Sequence, residues 1–576
     1  MNNCKCHDPE FILELIYGEE MGKRLGSWLN ERLKSFSCDS SKKSSLNEKD
    51  SILITYGDQF QKTGQKPLQT LKDFSKQYLK DVISAVHILP FYPYTSDDGF
   101  SVVDYRKVNP DWGDWKHVNH LGQDFDLMFD AVINHISISS DWFQGFLSDE
   151  SQYQDYFIDL PEDTDLSQVV RPRTSPLLTR FDTQGEPKWV WTTFSSDQVD
   201  LNYESPDLMK EIIDIFLLYV ENGARFIRLD AIAYLWKELG TDCIHLPQTH
   251  LVVKFFNALL QKAAPHVKLI TETNVPHEEN VSYFGNGYNE AHLVYNFALP
   301  PLTLYTFQNE NAEILSDWAS SLTLPSTEVT FFNFLASHDG IGVNPARGIL
   351  PESEILKMAE KIKSHGGLVS SKTNADGSQS PYELNISFFD ALSDPQSKEP
   401  LALQAKRFLA SQAILLSVIG VPGIYVHSLL GSRNWTEGVK QTKHNRTINR
   451  QKFDFEQLTD DLNDAGSLQG LVFKSYAALL KSRAGSSAFH PHGAQMVVNL
   501  GSQIFALLRI APDGRKVALC LQNVTSKKQQ IVVDPALLGL SSGVWQDMLT
   551  GLKLDLSAKT TMNLDVYQTL WIEPVS

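Results

Sequence analysis

Three carboxylates in this chain fall where chemistry could use them. Phe226-Ile227-Arg228-Leu229-Asp230 is an apolar stretch ending in an arginine and then an aspartate. Leu269-Ile270-Thr271-Glu272 also ends in a carboxylate, and the apolar run from Phe331 to Ser337 leads into His338-Asp339. Cleaving a glycosidic bond with retention needs a carboxylate nucleophile and a protonated carboxyl about 5 Å apart. Adjacent strands lie about 5 Å apart, so the ends of neighbouring strands can hold two carboxyls at that separation. Arg228, two residues before Asp230, points the same way on a strand and can hold that carboxylate ionised. The pattern predicts Asp230 and Glu272 as a reacting pair, with His338 and Asp339 gripping sugar hydroxyls across the pocket. The competing reading, that each acid only caps the helix after its strand, suits one such acid better than three.

Something must bring these strand ends together. Apolar segments at 52–56, 85–89, 130–134, 224–230, 268–272, 292–298, 330–337 and 423–426 read as parallel strands. Eight is the number that closes a (β/α)8 TIM barrel, and helical patterns at 208–220 and 401–419 lie between strands. The fold class expected is therefore α/β. The catalytic barrel would take 51–135, 206–339 and 401–485. The connections after the third and seventh strands are too long for plain loops, so 136–205 and 340–400 are expected to be inserted subdomains, B and B′, over the barrel mouth. From 486 to 576 the pattern changes to short alternating strands (503–509, 517–522, 530–533, 569–572), as in a C-terminal all-β domain. The stretch 363–380 is rich in Ser, Gly and Asn and reads as a loop. Residues 1–50 form an extension. In it Phe11 with Leu15, Ile12 with Ile16, then Leu25, Trp28, Leu29, Leu33 and Phe36 recur at helical spacing. Such helices pack on a larger body or on a partner subunit, the second option implying a homodimer. The polar segment 38–49 reads as a linker.

Composition narrows the partners. With 51 basic and 69 acidic residues the formal charge is −18, which argues against nucleic acid or an anionic membrane. A small anionic substrate stays open, because a local arginine cluster can override the net field. Five scattered cysteines with no CxxC pair speak against a disulfide framework or zinc site. Cys4-Lys5-Cys6-His7 could grip a metal, but a terminal position makes that the weaker reading. No oxygen-ligand loop of the Asp-x-Asp-x-Asp-Gly kind and no nucleotide-binding fingerprint is present, so neither metal nor organic cofactor is expected. The N-terminus lacks the apolar core of a signal peptide, which predicts a cytoplasmic protein. Residues 408–426 carry no charge, but Gly420-Val421-Pro422-Gly423 breaks them into a helix and a strand, not a membrane span.

The residues also carry a family resemblance. Asp130-Ala131-Val132-Ile133-Asn134-His135, Arg228-Leu229-Asp230, Glu272 and His338-Asp339 resemble, in order and spacing, the four sequence regions of the α-amylase superfamily, glycoside hydrolase family 13. The resemblance implies a retaining, α-specific enzyme with Asp230 as nucleophile and Glu272 as general acid/base. Asp339 would stabilise the transition state through the sugar hydroxyls. Leu89-Pro90-Phe91, Asp97-Asp98-Gly99-Phe100, Arg171-Pro172-Arg173, His338-Asp339-Gly340-Ile341-Gly342 and Arg446-Thr447-Ile448-Asn449-Arg450 are similar to the sucrose phosphorylase subfamily. That similarity implies that Asp97 and Arg446 hold the glucose hydroxyls beside His135, with Phe100 as an apolar platform. A bidentate Arg446–Asp97 pair would close the pocket behind a single glucose.

A phosphorylase must favour phosphate over water, which calls for a cationic, partly dehydrated acceptor pocket. By resemblance, Arg173 of the first insertion and Tyr382 of the second contact phosphate. The plainer reading is that Arg171 and Arg173 are solvated loop charges. Arg433 is a further candidate cation, or simply part of a barrel loop. Sucrose phosphorylases carry a histidine two residues after the general acid, whereas this chain has Asn274. The extension and the segments 171–179, 380–385 and 427–434 look closer to the glucosylglycerate phosphorylases. The resemblance thus implies reversible phosphorolysis of 2-O-α-glucosyl-D-glycerate, with that glucoside and inorganic phosphate as partners. Rival readings are a sucrose or sucrose 6′-phosphate phosphorylase, an α-glucosidase, and a silent amylase-like binding protein.

Overall fold

A computed structural model describes residues 7–38, 45–373 and 378–575. Eight parallel strands close into a barrel: β1 (Ile52–Thr55), β2 (Ala85–Ile88), β3 (Asp126–Ala131), β4 (Ala224–Leu229), β5 (Lys268–Thr271), β6 (Leu293–Tyr295), β7 (Thr330–Asn333) and β8 (Val421–Tyr425). Each pairs with the next in sequence, and β8 returns to β1, with Gly423 beside Ile52. Apart from Asp126 at the start of β3, these strand residues are buried. That follows from a sheet covered on its outer face by helices and filled on its inner face by side chains.

Three strands differ from the sequence expectation. β3 starts at Asp126 and ends at Ala131, and the chain beyond it pairs elsewhere, His135–Ser137 lying antiparallel to Gln198–Asp200. β6 is three residues long because Leu299-Pro300-Pro301 opens the helix Leu299–Asn309. Proline suits the first turn of a helix and cannot donate to a sheet. β7 ends at Asn333, and an irregular segment carries the chain to His338. Helices Pro206–Glu221 and Leu401–Ser417 lie between strands as predicted. The uncharged run 408–426 is the end of the second helix followed by β8, and no described helix is long and apolar enough to cross a membrane.

The segment 363–380 is not simply a loop. Helix Glu352–Ser364 is followed by Leu368–Thr373, which pairs antiparallel with Gln379–Asn385, and Ile341–Gly342 adds a third strand. Pairing with a distant partner overrides the weak strand propensity of Ser370-Ser371-Lys372, at the cost of a register shift between Ser370 and Ser371. Residues 374–377 lie outside the described residues.

Helices α1 (Pro9–Tyr17) and α2 (Glu19–Lys34) fold back on each other at Gly18, whose φ of +80° suits glycine. They approach so closely that a Cβ on Gly22 would lie 2.3 Å from Cα of Glu14. Their outer partners belong to this chain's own barrel: Lys262 Nζ lies 3.0 Å from Glu10 Oε1, and Arg32 Nε 2.6 Å from Asp214 Oδ1. The extension therefore packs on the wall of this chain's own barrel. Cys4 and Cys6, and residues 39–44 of the expected linker, lie outside the described residues.

After the barrel, a six-stranded antiparallel sheet runs in the spatial order Ala494–Val497, Ile504–Ile510, Val517–Asn523, Thr569–Pro574, Val544–Asp547, Lys553–Asp555. Gln529–Val533 and Thr560–Leu564 form a separate pair. Buried Arg509 ties this sheet to the barrel by donating to Ser417 O at 2.9 Å.

Candidate active site

The register of β4 on β5 sets the first two carboxyls. Leu229 pairs with Thr271, so Asp230 and Glu272 leave the barrel rim side by side. The Glu272 N–H donates to Leu229 O at 3.1 Å, and the Asp230 N–H to Ala131 O at 3.2 Å. Ala231 then takes a left-handed turn (φ +50°) and donates its N–H to Glu272 Oε2 at 3.1 Å. A non-glycine residue rarely adopts that conformation, and here it spends local strain on fixing a carboxyl. A second unusual turn, with Asp97 and Asp98 at φ +50° and +49°, brings Asp97 and Phe100 to the same pocket. Gly99 is required there, because a Cβ would sit 2.5 Å from Pro90 O.

The pocket encloses about 750 Å³, mouth included, and is lined by Asp97, Phe100, His135, Arg173, Asp230, Glu272, Asn274, His338, Asp339, Tyr382 and Arg446. Of the residues singled out in the sequence, Arg228 is not on the wall but lies directly under it, 2% exposed. Its Nη1 donates to Asp230 Oδ1 at 2.8 Å and also to Asp130 Oδ1, while Nη2 stays 3.8 Å from Glu272 Oε2. Asp130 is held from its other side by His87 Nε2 at 2.6 Å.

These distances decide the charges. Burial pushes both Asp230 and Glu272 above the ordinary carboxylate range; Arg228 pulls each back, and neighbouring carboxylates push each up again. Two such carboxyls share a proton more readily than both ionise. Burial raises Asp230 more strongly than Glu272, whose Oε2 also accepts from Ala231. Arg228, however, bonds Asp230 directly and only approaches Glu272, and that direct ion pair favours the anion on Asp230 and the proton on Glu272. Asp339 behaves oppositely. Burial would raise it, but Arg446, His338 and Arg450 together hold it well below the usual range. Burial pushes His338 down to about 3, leaving a neutral imidazole stacked on Phe100 at 4.6 Å.

Arg446 departs from its expected pairing. Its Nη1 is 2.6 Å from Asp339 Oδ1 but 4.0 Å from Asp97 Oδ2, and its Nε is 3.1 Å from Glu383 Oε1. No bidentate Arg446–Asp97 pair forms, because two buried or half-buried carboxylates compete for the guanidinium. Arg450 shares the task, with Nη1 2.6 Å from Asp98 Oδ2 and 3.7 Å from Asp97 Oδ1. Glu383 is a charged functional-site residue that sequence reasoning missed. The only signal was its place next to Tyr382 within 380–385.

On the insertion side, Arg173 lies 5.6 Å from the Tyr382 ring centre, and Asn274 Nδ2 donates to the Tyr382 hydroxyl at 3.5 Å. Gly342 makes room for that amide: a Cβ there would lie 2.7 Å from it. Arg171 turns away and donates to Thr174 O and Ser175 O in its own loop. Arg433 is likewise occupied, with Asp390 Oδ1 at 2.7 Å and Gln404 Oε1 at 2.8 Å, so it offers no cation to the pocket. His135 Nε2 lies 2.9 Å from Phe100 O, and Gln198, Phe194, Tyr234 and Phe297 are among the lining residues the sequence did not single out. The fully buried Asp200 accepts from Lys237 at 2.6 Å, Asn134 at 3.1 Å and Thr193, pinning the first insertion to the barrel. Among the described residues, no group of three or more His, Cys, Asp or Glu side chains is arranged to hold a metal ion.

Comparison with known proteins places this geometry. The family described as "Alpha amylase, catalytic domain" matches residues 55–341. A glucosylglycerate phosphorylase of Spirochaeta thermophila is 49% identical over 581 residues, 98% of each chain. The chain belongs to the α-amylase family. Within that family it groups with the glucosylglycerate phosphorylases, since another, from Allomeiothermus silvanus, is 47% identical over 97% of each chain. The solved sucrose 6F-phosphate phosphorylase of Thermoanaerobacter thermosaccharolyticum is more distant. It superposes with a TM-score of 0.74 at 25% identity, covering 91% of this chain and 99% of its own.

Proposed function

We propose that this α-amylase family protein is a retaining glycoside phosphorylase for the reversible conversion of 2-O-α-D-glucosyl-D-glycerate and phosphate to α-D-glucose 1-phosphate and D-glycerate. The observation that carries the reading is likeness along the whole chain, at 49% identity, to a glucosylglycerate phosphorylase. The site chemistry supports it. Glu272, the protonated member of the pair, donates to the departing glycerate oxygen while Asp230 attacks the anomeric carbon. Phosphate then enters from the vacated face, Glu272 takes its proton, and configuration is retained. Asp339, kept anionic by Arg446 and Arg450, bonds the sugar hydroxyls as positive charge develops on the ring. Arg173 and Tyr382 hold phosphate, and Asn274 stands beside them on the acceptor side.

The same reading divides the chain into an extension (1–50), a barrel (51–135, 206–339, 401–485), insertions at 136–205 and 340–400, and a β domain from 486. It places the enzyme in the cytoplasm, and any homodimer would form through surfaces other than the inner faces of α1 and α2. The test is glucose 1-phosphate release from glucosylglycerate and from sucrose, each with ample phosphate and with none. Phosphate-dependent release from glucosylglycerate alone is expected. Release from sucrose instead would mean the acceptor is misassigned, and free glucose at equal rates in both buffers would leave a hydrolase.

A further inference from the structure

At the barrel end opposite the active site, a second recess opens beside the starts of β5 and β6. It encloses about 1050 Å³, mouth included, and its wall includes Lys268, His292, Glu290, Glu328 and His7. Lys268 is the first residue of β5 and only 9% exposed. It makes no hydrogen bond or ion pair with any of the described residues. Burial holds Lys268 below the ordinary lysine range, while Glu328, exposed on the rim, attracts the ammonium and Arg225 repels it. Glu290 does not serve as its counter-ion, being engaged by His250 at 2.8 Å and Lys254 at 3.6 Å. The Lys268 ammonium stays open to the recess, where no described residue pairs with it.

His292 adds a second unused donor. Its Nδ1 accepts the Leu269 N–H at 3.1 Å, which fixes the tautomer with the proton on Nε2. Burial, with Lys268 nearby, holds this ring down to about 3, so it is neutral. His292 is 8% exposed, and its Nε2–H meets no acceptor among the described residues. That N–H is left open to the recess and can donate to a group bound there. A point-like cation and a fixed N–H facing one recess suit a negatively charged oxygen group.

We propose that this recess binds a small oxyanion, a phosphate or carboxylate group, between the Lys268 ammonium and the His292 Nε2–H. The site is separate from the reaction centre: Lys268 stands four residues before Glu272 on one strand, roughly 13 Å along it. The inference does not depend on the substrate proposed above. The competing reading is a lysine that merely reaches water through the recess.

Crystals of the full chain soaked separately in tungstate, a heavy phosphate analogue, and in bromoacetate distinguish these readings and the two anion sources. An anomalous peak within hydrogen-bond reach of Lys268 Nζ and His292 Nε2 is expected from at least one anion, lost in Lys268→Met and in His292→Asn. The asparagine can still accept from the Leu269 N–H, so its fold should hold. In solution, the rise in unfolding midpoint caused by that anion at constant ionic strength should drop by about half or more in Lys268→Met, with glucoside cleavage unchanged. No density with either anion, or density and midpoint rise unaffected by Lys268→Met, overturns the proposal.

Discussion

Arg228 Nη1 lies 2.8 Å from Asp230 Oδ1 while the same guanidinium stays 3.8 Å from Glu272, an asymmetry that favours the anion on Asp230 against the stronger push of burial there. Asp230→Asn should therefore abolish nearly all turnover with the fold intact, since the amide oxygen can still accept from Arg228. Appreciable phosphorolysis by that variant, measured as glucose 1-phosphate release, would remove Asp230 from the nucleophile's role.

Glu272→Gln tests the proton from the stability side. The Glu272 carboxyl is raised above its ordinary value of 4.5 by burial, so the folded protein binds this proton more tightly than the unfolded chain. Its stabilising contribution is complete below about pH 4 and is lost as pH rises through the folded value. The glutamine variant has no such loss. Its unfolding midpoint should match wild type near pH 4 and exceed it at pH 8, while kcat/KM falls about a hundred- to ten-thousand-fold. A variant less stable than wild type at pH 8 would contradict the assignment.

Asp339 and Arg446 make the opposite case, an aspartate held low by cations 2.6 and 3.8 Å away on Arg446 and Arg450. Stability from this carboxylate is present above the ordinary aspartate range and lost as pH falls through the folded value. In Arg446→Gln the Asp339 value should climb, so the acid limb of the kcat/KM profile moves to higher pH. The rate at pH 7 should fall on the order of a hundred- to a thousand-fold. An unmoved acid limb would mean that Arg450 alone sets the charge of Asp339.

The strand-end acids were legible in the sequence because their signal is local: an apolar run of barrel length ending in a carboxylate. The neighbours of Arg446 were not. Glu383 lies 63 residues earlier, in a strand whose Ser-rich partner has no strand pattern of its own. The expected Arg446–Asp97 pair failed because Asp339 takes Nη1 at 2.6 Å and Glu383 takes Nε, the latter on a strand whose partner, within 363–380, reads as loop. Strand limits slipped where prolines open a helix after β6, and where β3 hands the chain to a different partner at His135. Arg171 and Arg433 show the converse. Their charge and position suggested ligand binding, but nearby carbonyl and carboxylate groups already occupy them.

Gly342 and Asn274 offer a test of the acceptor side. A Cβ at Gly342 would sit 2.7 Å from the Asn274 amide, closer than such contacts allow, so Gly342→Ala must displace that amide. Activity on glucosylglycerate should fall about tenfold or more, a loss of about 1.4 kcal/mol in transition-state binding. Asn274→His should shift the ratio of sucrose to glucosylglycerate cleavage towards sucrose. An unchanged ratio would place acceptor choice elsewhere in the pocket.

Arg173 is the cation beside Tyr382 on the acceptor side, and no ion pair to it forms among the described residues. If it holds phosphate, Arg173→Ala removes charge-assisted hydrogen bonds of about 1.5–3 kcal/mol. The KM for phosphate should then rise roughly ten- to a hundredfold, and a larger share of the glucosyl-enzyme should be captured by water as free glucose. Tyr382→Phe separates charge from shape: it keeps the ring near Arg173 but loses the hydroxyl that accepts from Asn274 at 3.5 Å. Its phosphate KM should change less than that of Arg173→Ala. Product ratios from both variants, measured with phosphate varied at saturating glucoside, decide the matter. A phosphate KM untouched by Arg173→Ala would show that discrimination against water comes from burial of the site and not from this cation.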